Sequence, residues 1–265
     1  ACNYRIAVQS NSLKVGLPEA SLGLLPGGGG TVRMTHLLGL EATLPLLTQG
    51  RQMTPGKALK AGLLHALVEH PEQLLEKAKT WILEHKDNPS SAIQPWDTKG
   101  YRMPGGNANH PAMGGKIAVA SAQIQQKTRG LLPAPEMILD IMVETARLDF
   151  DSAQKIETSK FVELVIKPVT KNIITSMFFN MNQVKGGQKR PQGFPKHEVK
   201  RLGIIGAGMM GQGIAYSAAM AGIQVHLKDT QLESANNGKD YTQKLLSKRC
   251  NQGRMDNHQM QQVLD

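Results

Sequence analysis

Residues 202–229 read LGIIGAGMMGQGIAYSAAMAGIQVHLKD, and this stretch decides how the C-terminal part of the chain folds. Leu202 to Ile205 form a short apolar run, expected as a strand, that enters Gly206-Ala207-Gly208-Met209-Met210-Gly211 directly. Residues 213–221 are mostly small and suit a helix lying close against a sheet. Residues 224–228 read as a second strand, ended by Asp229. A lone G-x-G-x-x-G says little, but here strand, turn, helix, strand and acid follow in the order its mechanics require. Gly206 permits the tight turn, Gly208 lets backbone approach a ligand, and Gly211 lets helix and strand pack closely.

The chemistry follows from that geometry. A helix N-terminus presents unpaired N–H groups and a partial positive charge, which favour a pyrophosphate. An acid about 20 residues beyond the turn accepts hydrogen bonds from the adenosine ribose. Asp229 holds that position, and a carboxylate there repels a 2′-phosphate, so NAD is expected rather than NADP. Lys228, its neighbour, acts in the opposite sense. The expected cofactor-binding residues are Gly206, Ala207, Gly208, Met209, Met210, Gly211 and Asp229. A glycine-rich β-α turn without a ligand is the alternative.

Upstream, three zones are visible. Residues 1 to about 88 alternate short apolar runs with Gly and Pro, and residues 89–112 are rich in Pro, Gly, Asn and Ser and read as an irregular connection. From 113 to 186 the pattern is helical. The expected divisions are therefore 1–112, 113–199 (helices and linker) and 200–265. Thr54-Pro55 reads as N-cap and first helical residue, with Gly62 as the stop. Pro71 opens a further helix carrying Leu74, Leu75, Ala78, Trp81 and Ile82. Residues 170–185 place Ile173, Ile174, Met177, Phe178, Met181 and Val184 on one side, as a core-facing helix would; a cofactor groove is the alternative. Gly27–Gly30 lack the Lys-Ser or Lys-Thr of a nucleotide loop and read as an entry to the next helix.

Composition bounds the function. The 265 residues carry a net charge of +10, but only Lys185, Lys189, Arg190, Lys196, Lys200 and Arg201 cluster, among Gly and Pro and with one aromatic, Phe194. That stretch reads as a solvated linker, with no nucleic-acid partner expected. Two distant cysteines and scattered histidines give no ligand spacing, so neither a disulfide framework nor a metal is expected. No apolar run has the length of a membrane span.

These residues carry two resemblances. Residues 202–229 resemble the opening of 3-hydroxyacyl-CoA dehydrogenases, in which the residue before the third glycine, here Met210, also touches NAD. Residues 14–39, KVGLPEASLGLLPGGGGTVRMTHLLG, and 47–69, LTQGRQMTPGKALKAGLLHALVE, resemble the second half of a crotonase-fold enoyl-CoA hydratase. In this order the two are similar to the α subunits of bacterial fatty-acid oxidation complexes, a layout that mitochondrial trifunctional enzymes share. The resemblance implies an α/β chain, the C-terminal part of a crotonase-like domain with a helical extension, followed by the first β-α-β-α of a Rossmann NAD-binding domain. It implies an acyl-CoA thioester substrate, a thiolase subunit as possible partner, and a bacterial cytoplasmic rather than mitochondrial location. Glu19 matches one of the two hydratase glutamates, the acid that protonates the α-carbon; on sequence alone, a Glu after Pro reads as a helix-start or turn residue.

In that family the second glutamate precedes the position of Ala1, and the dehydrogenase histidine follows the position of Asp265. The chain is thus expected to be a fragment, inactive by itself, with strand, helix, strand and one further helix at its C-terminal end. A non-catalytic NAD-binding or interaction module with a decayed crotonase half is the rival reading, and recruitment of RNA by the basic linker is a second.

Overall fold

The computed structural model describes residues 2–106, 108–195 and 197–265; Lys196 of the basic stretch lies outside them. The chain divides into two compact units, Ala1–Arg190 and Pro191–Asp265.

In the first unit, β1 (Ile6–Val8) pairs in parallel with β2 (Ala66–Val68), Ile6 opposite Ala66 and Val8 opposite Val68. A parallel pair needs a long crossover. It is made by a 3-10 turn (Glu19–Leu22) and helices α1 (Gly30–Leu38), α2 (Leu40–Thr48) and α3 (Pro55–Lys60). Thr54 is extended before Pro55, and Gly62 takes φ +83° where its N–H meets the Leu59 carbonyl at 3.0 Å. These bounds match the sequence reading, although the Thr54 hydroxyl makes no capping bond.

Next come α4 (Gln73–His85), two 3-10 turns (Pro89–Ala92 and Pro95–Asp97), then α5 (Pro111–Thr128), α6 (Pro133–Thr145), α7 (Phe150–Val165) and α8 (Pro168–Ile173). Proline opens α5, α6 and α8, each after an extended residue, because its missing N–H costs nothing in a first turn. α7 starts instead at Asp149, whose Oδ1 accepts the Ser152 N–H at 2.9 Å. The core gathers on α6, with Ile138, Ile141 and Met142 fully buried beside Leu25, Val32, Leu47 and Leu164. Burying each such side chain contributes roughly 1.5–3 kcal/mol.

Two expected stripes fall short of that core. The helix continues from α8 through a π-helical turn (Ile174–Asn180) into α9 (Met181–Lys185), and the core-facing expectation fails along it. Only Ile173 and Ile174 are half-buried, while Met177, Phe178, Met181 and Val184 are exposed. The physical reason is that the packing of this helix lies toward its first half, Thr170 and Ile173 against Gly23 and the π-helical turn against Glu19–Leu22, and leaves those four side chains uncovered. On α4, Leu74, Ala78 and Trp81 are half-buried but Leu75 and Ile82 stay exposed.

In the second unit, β3 (Arg201–Ile205) leads through the glycine turn to α10 (Met209–Met220), then to β4 (Gln224–Lys228), which pairs in parallel with β3 in register Arg201 to Gln224 and Ile205 to Lys228. One sheet face, with Leu202, Ile204, Val225 and Leu227, is half-covered; the other, with Ile205 at 93% exposure, is open. Beyond β4 the expectation of one further helix is corrected to two, α11 (Leu232–Asn251) and α12 (Asn257–Leu264). Gly253 at φ +65° stops the first, and Asp256 starts the second by a reciprocal capping box with Gln259.

Candidate functional site

Glu19 opens the 3-10 turn after Pro18. Its carbonyl accepts the Leu24 N–H at 3.1 Å, and Gly23 closes the turn in the left-handed region at φ +72°. The residue is half-buried, and its Oε2 is shielded from solvent with no hydrogen-bond partner among the described residues. Buried polar atoms are normally paired. An unpaired, shielded carboxyl oxygen is therefore a group available to a ligand.

The segment that carries Glu19 is held by the helices that follow much later in the chain. The hydroxyl of Thr170, on α8, donates to the Gly23 carbonyl at 2.9 Å. A Cβ at Gly27 would meet the Phe161 ring at 2.5 Å. Most telling is Glu157, 1% exposed on α7. Its Oε1 accepts the Gly29 N–H at 2.5 Å and its Oε2 the Val32 N–H at 2.9 Å. The Gly27–Gly30 run is thus an entry to α1, with Gly29 at φ +84°, capped by a carboxylate from another helix. Burial pushes the Glu157 carboxyl above its ordinary value, against the pull of the Val32, Gly29 and Thr31 N–H groups and Arg33.

In the second unit, Gly206 takes φ +97° and its N–H meets the Lys228 carbonyl at 2.7 Å, tying the turn to β4. A Cβ at Gly211 would lie 1.8 Å from the Gly206 carbonyl oxygen, so the third glycine packs against the turn itself. At Gly208 a Cβ would meet nothing within 4 Å. Gly208 is also the N-cap of α10, which carries no side-chain cap; Met209 and Met210 are exposed beside it. The Asp229 Oδ2 accepts the Ala207 N–H at 2.6 Å, while Oδ1 accepts from the Thr230 N–H and hydroxyl. Those bonds, from Ala207 first and then Thr230, hold the carboxyl below its usual range. The structure therefore places six of the seven expected residues, Gly206 to Gly211, in one turn with open room at its second glycine, and sets the seventh, Asp229, at its side as an anionic acceptor.

Two family models match the chain: enoyl-CoA hydratase/isomerase over residues 1–100, and the NAD-binding domain of 3-hydroxyacyl-CoA dehydrogenase over residues 201–265. The fatty acid oxidation complex subunit alpha of Vibrio campbellii is 34% identical over 253 residues, covering 94% of this chain and 34% of that subunit. Its counterpart in Vibrio parahaemolyticus is 34% identical over 255 residues with the same shares. The chain is thus similar, across nearly its whole length, to fatty acid oxidation complex α subunits. It spans about a third of the length of the curated relatives it matches. A solved enoyl-CoA hydratase from Bacillus anthracis is 20% identical, covers 74% of this chain and 55% of its own, and superposes with a TM-score of 0.30.

Residues 201–265 match an NAD-binding domain of the dehydrogenase type, which supports NAD as cofactor. The fold is mixed α/β, rich in helix with small sheets. Among the described residues, no helix is long and apolar enough to cross a membrane, and no three His, Cys, Asp or Glu gather as metal ligands. Sequence reasoning missed Glu157 and Thr170, whose partners lie more than a hundred residues away. It also missed Gly238, where a Cβ would strike Leu227 at 2.4 Å and Ala207 at 3.4 Å. A glycine inside an otherwise uninterrupted helix is the signal that could have found it.

Proposed function

We propose that this chain supplies parts of two successive active sites of fatty-acid β-oxidation: hydration of a trans-2-enoyl-CoA, then oxidation of the resulting 3-hydroxyacyl-CoA with NAD. The observation that carries the reading is the β3-α10 turn, in which the uncapped helix start, the empty space over Gly208 and the anchored Asp229 carboxylate meet. The residues present fit a dinucleotide. Gly206, Ala207, Gly208, Met209, Met210 and Gly211 would cradle the pyrophosphate, their N–H groups supplying positive ends of dipoles. Asp229 retains carboxylate lone pairs for ribose hydroxyls. NAD, when bound, supplies the acceptor for the hydride of the 3-hydroxyl carbon.

For the hydratase step, Glu19 is the residue we assign to protonate the α-carbon. As water adds, negative charge builds on the thioester oxygen and is relieved when the α-carbon takes a proton. The shielded, unpaired Oε2 supports that role, because a carboxyl already committed to a partner is a poorer donor. The chain's divisions follow the same reading: a hydratase part to 112, a helical extension to 199, and the NAD part from 200. A thiolase subunit as partner and a location in the bacterial cytoplasm complete it.

Calorimetric titration tests the cofactor half. An NAD site that is lost with Gly211→Ala is expected, with NADP bound there at least about tenfold more weakly, a difference of about 1.4 kcal/mol. Equal affinity for the two would remove Asp229 from its role, and no binding of either would remove the turn.

A further inference from the structure

Beyond the two segments above, the first unit contains a cleft of about 520 Å³ where the irregular connection meets α1 and the start of α7. One wall is aromatic. Trp96 and Phe150 stack with ring centroids 5.0 Å apart and planes 9° apart, and the His36 ring meets both edge-on. His36 Nδ1 lies 2.9 Å from the Val32 carbonyl, which can only accept, so the proton sits on Nδ1 and Nε2 is left as an acceptor. Burial lowers the affinity of this ring for a second proton. The opposite chemistry lines the same cleft: Arg102 and Arg147 are exposed, and among the described residues neither guanidinium has an ion-pair or hydrogen-bond partner. Asp149 also lines it, but its Oδ1 is engaged by the Ser152 N–H at the start of α7.

A planar π-surface beside two unpaired guanidiniums suits a ligand that is flat at one end and anionic at the other. Arg matches phosphate oxygens in its fork geometry, and indoles stack on bases of any identity. We propose that this cleft binds a nucleoside phosphate, with the base against Trp96 and the phosphates against Arg102 and Arg147. The His36 Nε2 acceptor and the Asp149 carboxylate then face the base and sugar, where exocyclic amino and hydroxyl groups donate. This site is separate in sequence from the glycine turn and does not depend on the reading of that turn.

Both tryptophans belong to the first unit, so a Trp81→Phe chain reports through Trp96 alone. The expected result is a saturable change in Trp96 emission on titrating ADP. A combined Arg102→Ala, Arg147→Ala variant weakens it by at least about tenfold, whereas Gly211→Ala, which disrupts the dinucleotide turn, leaves it in place. Both arginines are exposed, and an unchanged circular dichroism spectrum verifies that the double variant is folded. Coenzyme A binding about tenfold more tightly than ADP would identify the nucleotide head of a thioester carrier as the source; equal affinity would identify a free nucleotide. The proposal is overturned by the lack of a saturable response, by inorganic phosphate matching ADP in affinity, or by a response lost with Gly211→Ala and kept without the arginines.

Discussion

Replacing Glu157 with Ala removes a carboxylate that holds the entry to α1 from across the unit, and the cost can be worked from its two bonds. The Gly29 and Val32 N–H groups, at 2.5 and 2.9 Å, would be left without their acceptor in a site where Glu157 itself is 1% exposed. Stranding a buried N–H costs about 1–3 kcal/mol, so the pair together should cost about 2–6 kcal/mol. For a unit of this size, each kcal/mol moves Tm by about 2–4 °C, giving a fall of at least about 4 °C. Tryptophan emission during heating is the assay, because Trp81 and Trp96 both report on the first unit. The pH dependence gives a second arm. Burial raises the folded pKa of Glu157 above its ordinary value of 4.5. Between the unfolded and folded values the folded chain therefore binds more protons, and stability falls as pH rises. The contribution is fully present below the unfolded pKa and is lost as pH rises through the folded one. Glu157→Gln does not titrate, so the wild-type-minus-Gln difference in stability should decline over that window. A fall in Tm of less than about 2 °C for Glu157→Ala, or a difference curve flat with pH, would refute the reasoning.

Other outcomes follow from the same geometry. Thr170→Val keeps the shape but loses the hydroxyl that donates to Gly23 at 2.9 Å, and should cost about 1 kcal/mol in the same melting assay. Gly211→Ala forces a Cβ to within 1.8 Å of the Gly206 carbonyl oxygen and should lower NAD affinity by about tenfold or more in calorimetry. Asp229→Asn should narrow the preference for NAD over NADP when both are titrated. Because the Asp229 pKa is lowered from 3.8, its contribution to stability is present above that value and is lost only as pH falls through the folded pKa, so a pH series from neutral to about 5 should leave it unchanged.

How much of this was legible in the sequence depends on how far apart the interacting residues lie. The strand limits at 224–228, the glycine turn and the bounds of α3 were readable, because each is set by residues a few positions apart. A periodic stripe announces a helix but not what covers it. Residues 173–184 have the spacing of a buried face, yet packing against Gly23 and Glu19–Leu22 leaves Met177, Phe178, Met181 and Val184 exposed. The clamp on the Glu19 segment was invisible for a different reason. Glu157 in a polar helical stretch looks like any solvated acid until the fold carries it to Gly29. The second helix after β4 was missed although Asp256 and Gln259 stand at capping-box spacing, a signal overlooked in favour of the longer pattern before it.

The central claim is that one chain joins a hydratase segment to an NAD segment, and the most direct test separates the two steps in the native polypeptide that contains residues 1–265. Glu19→Gln is given NAD with either a trans-2-enoyl-CoA or a 3-hydroxyacyl-CoA, and NADH formation is followed. The account predicts that the enoyl-driven rate falls by about a hundredfold or more while the hydroxyacyl-driven rate is kept. Equal loss with both substrates, or loss with neither, would contradict it.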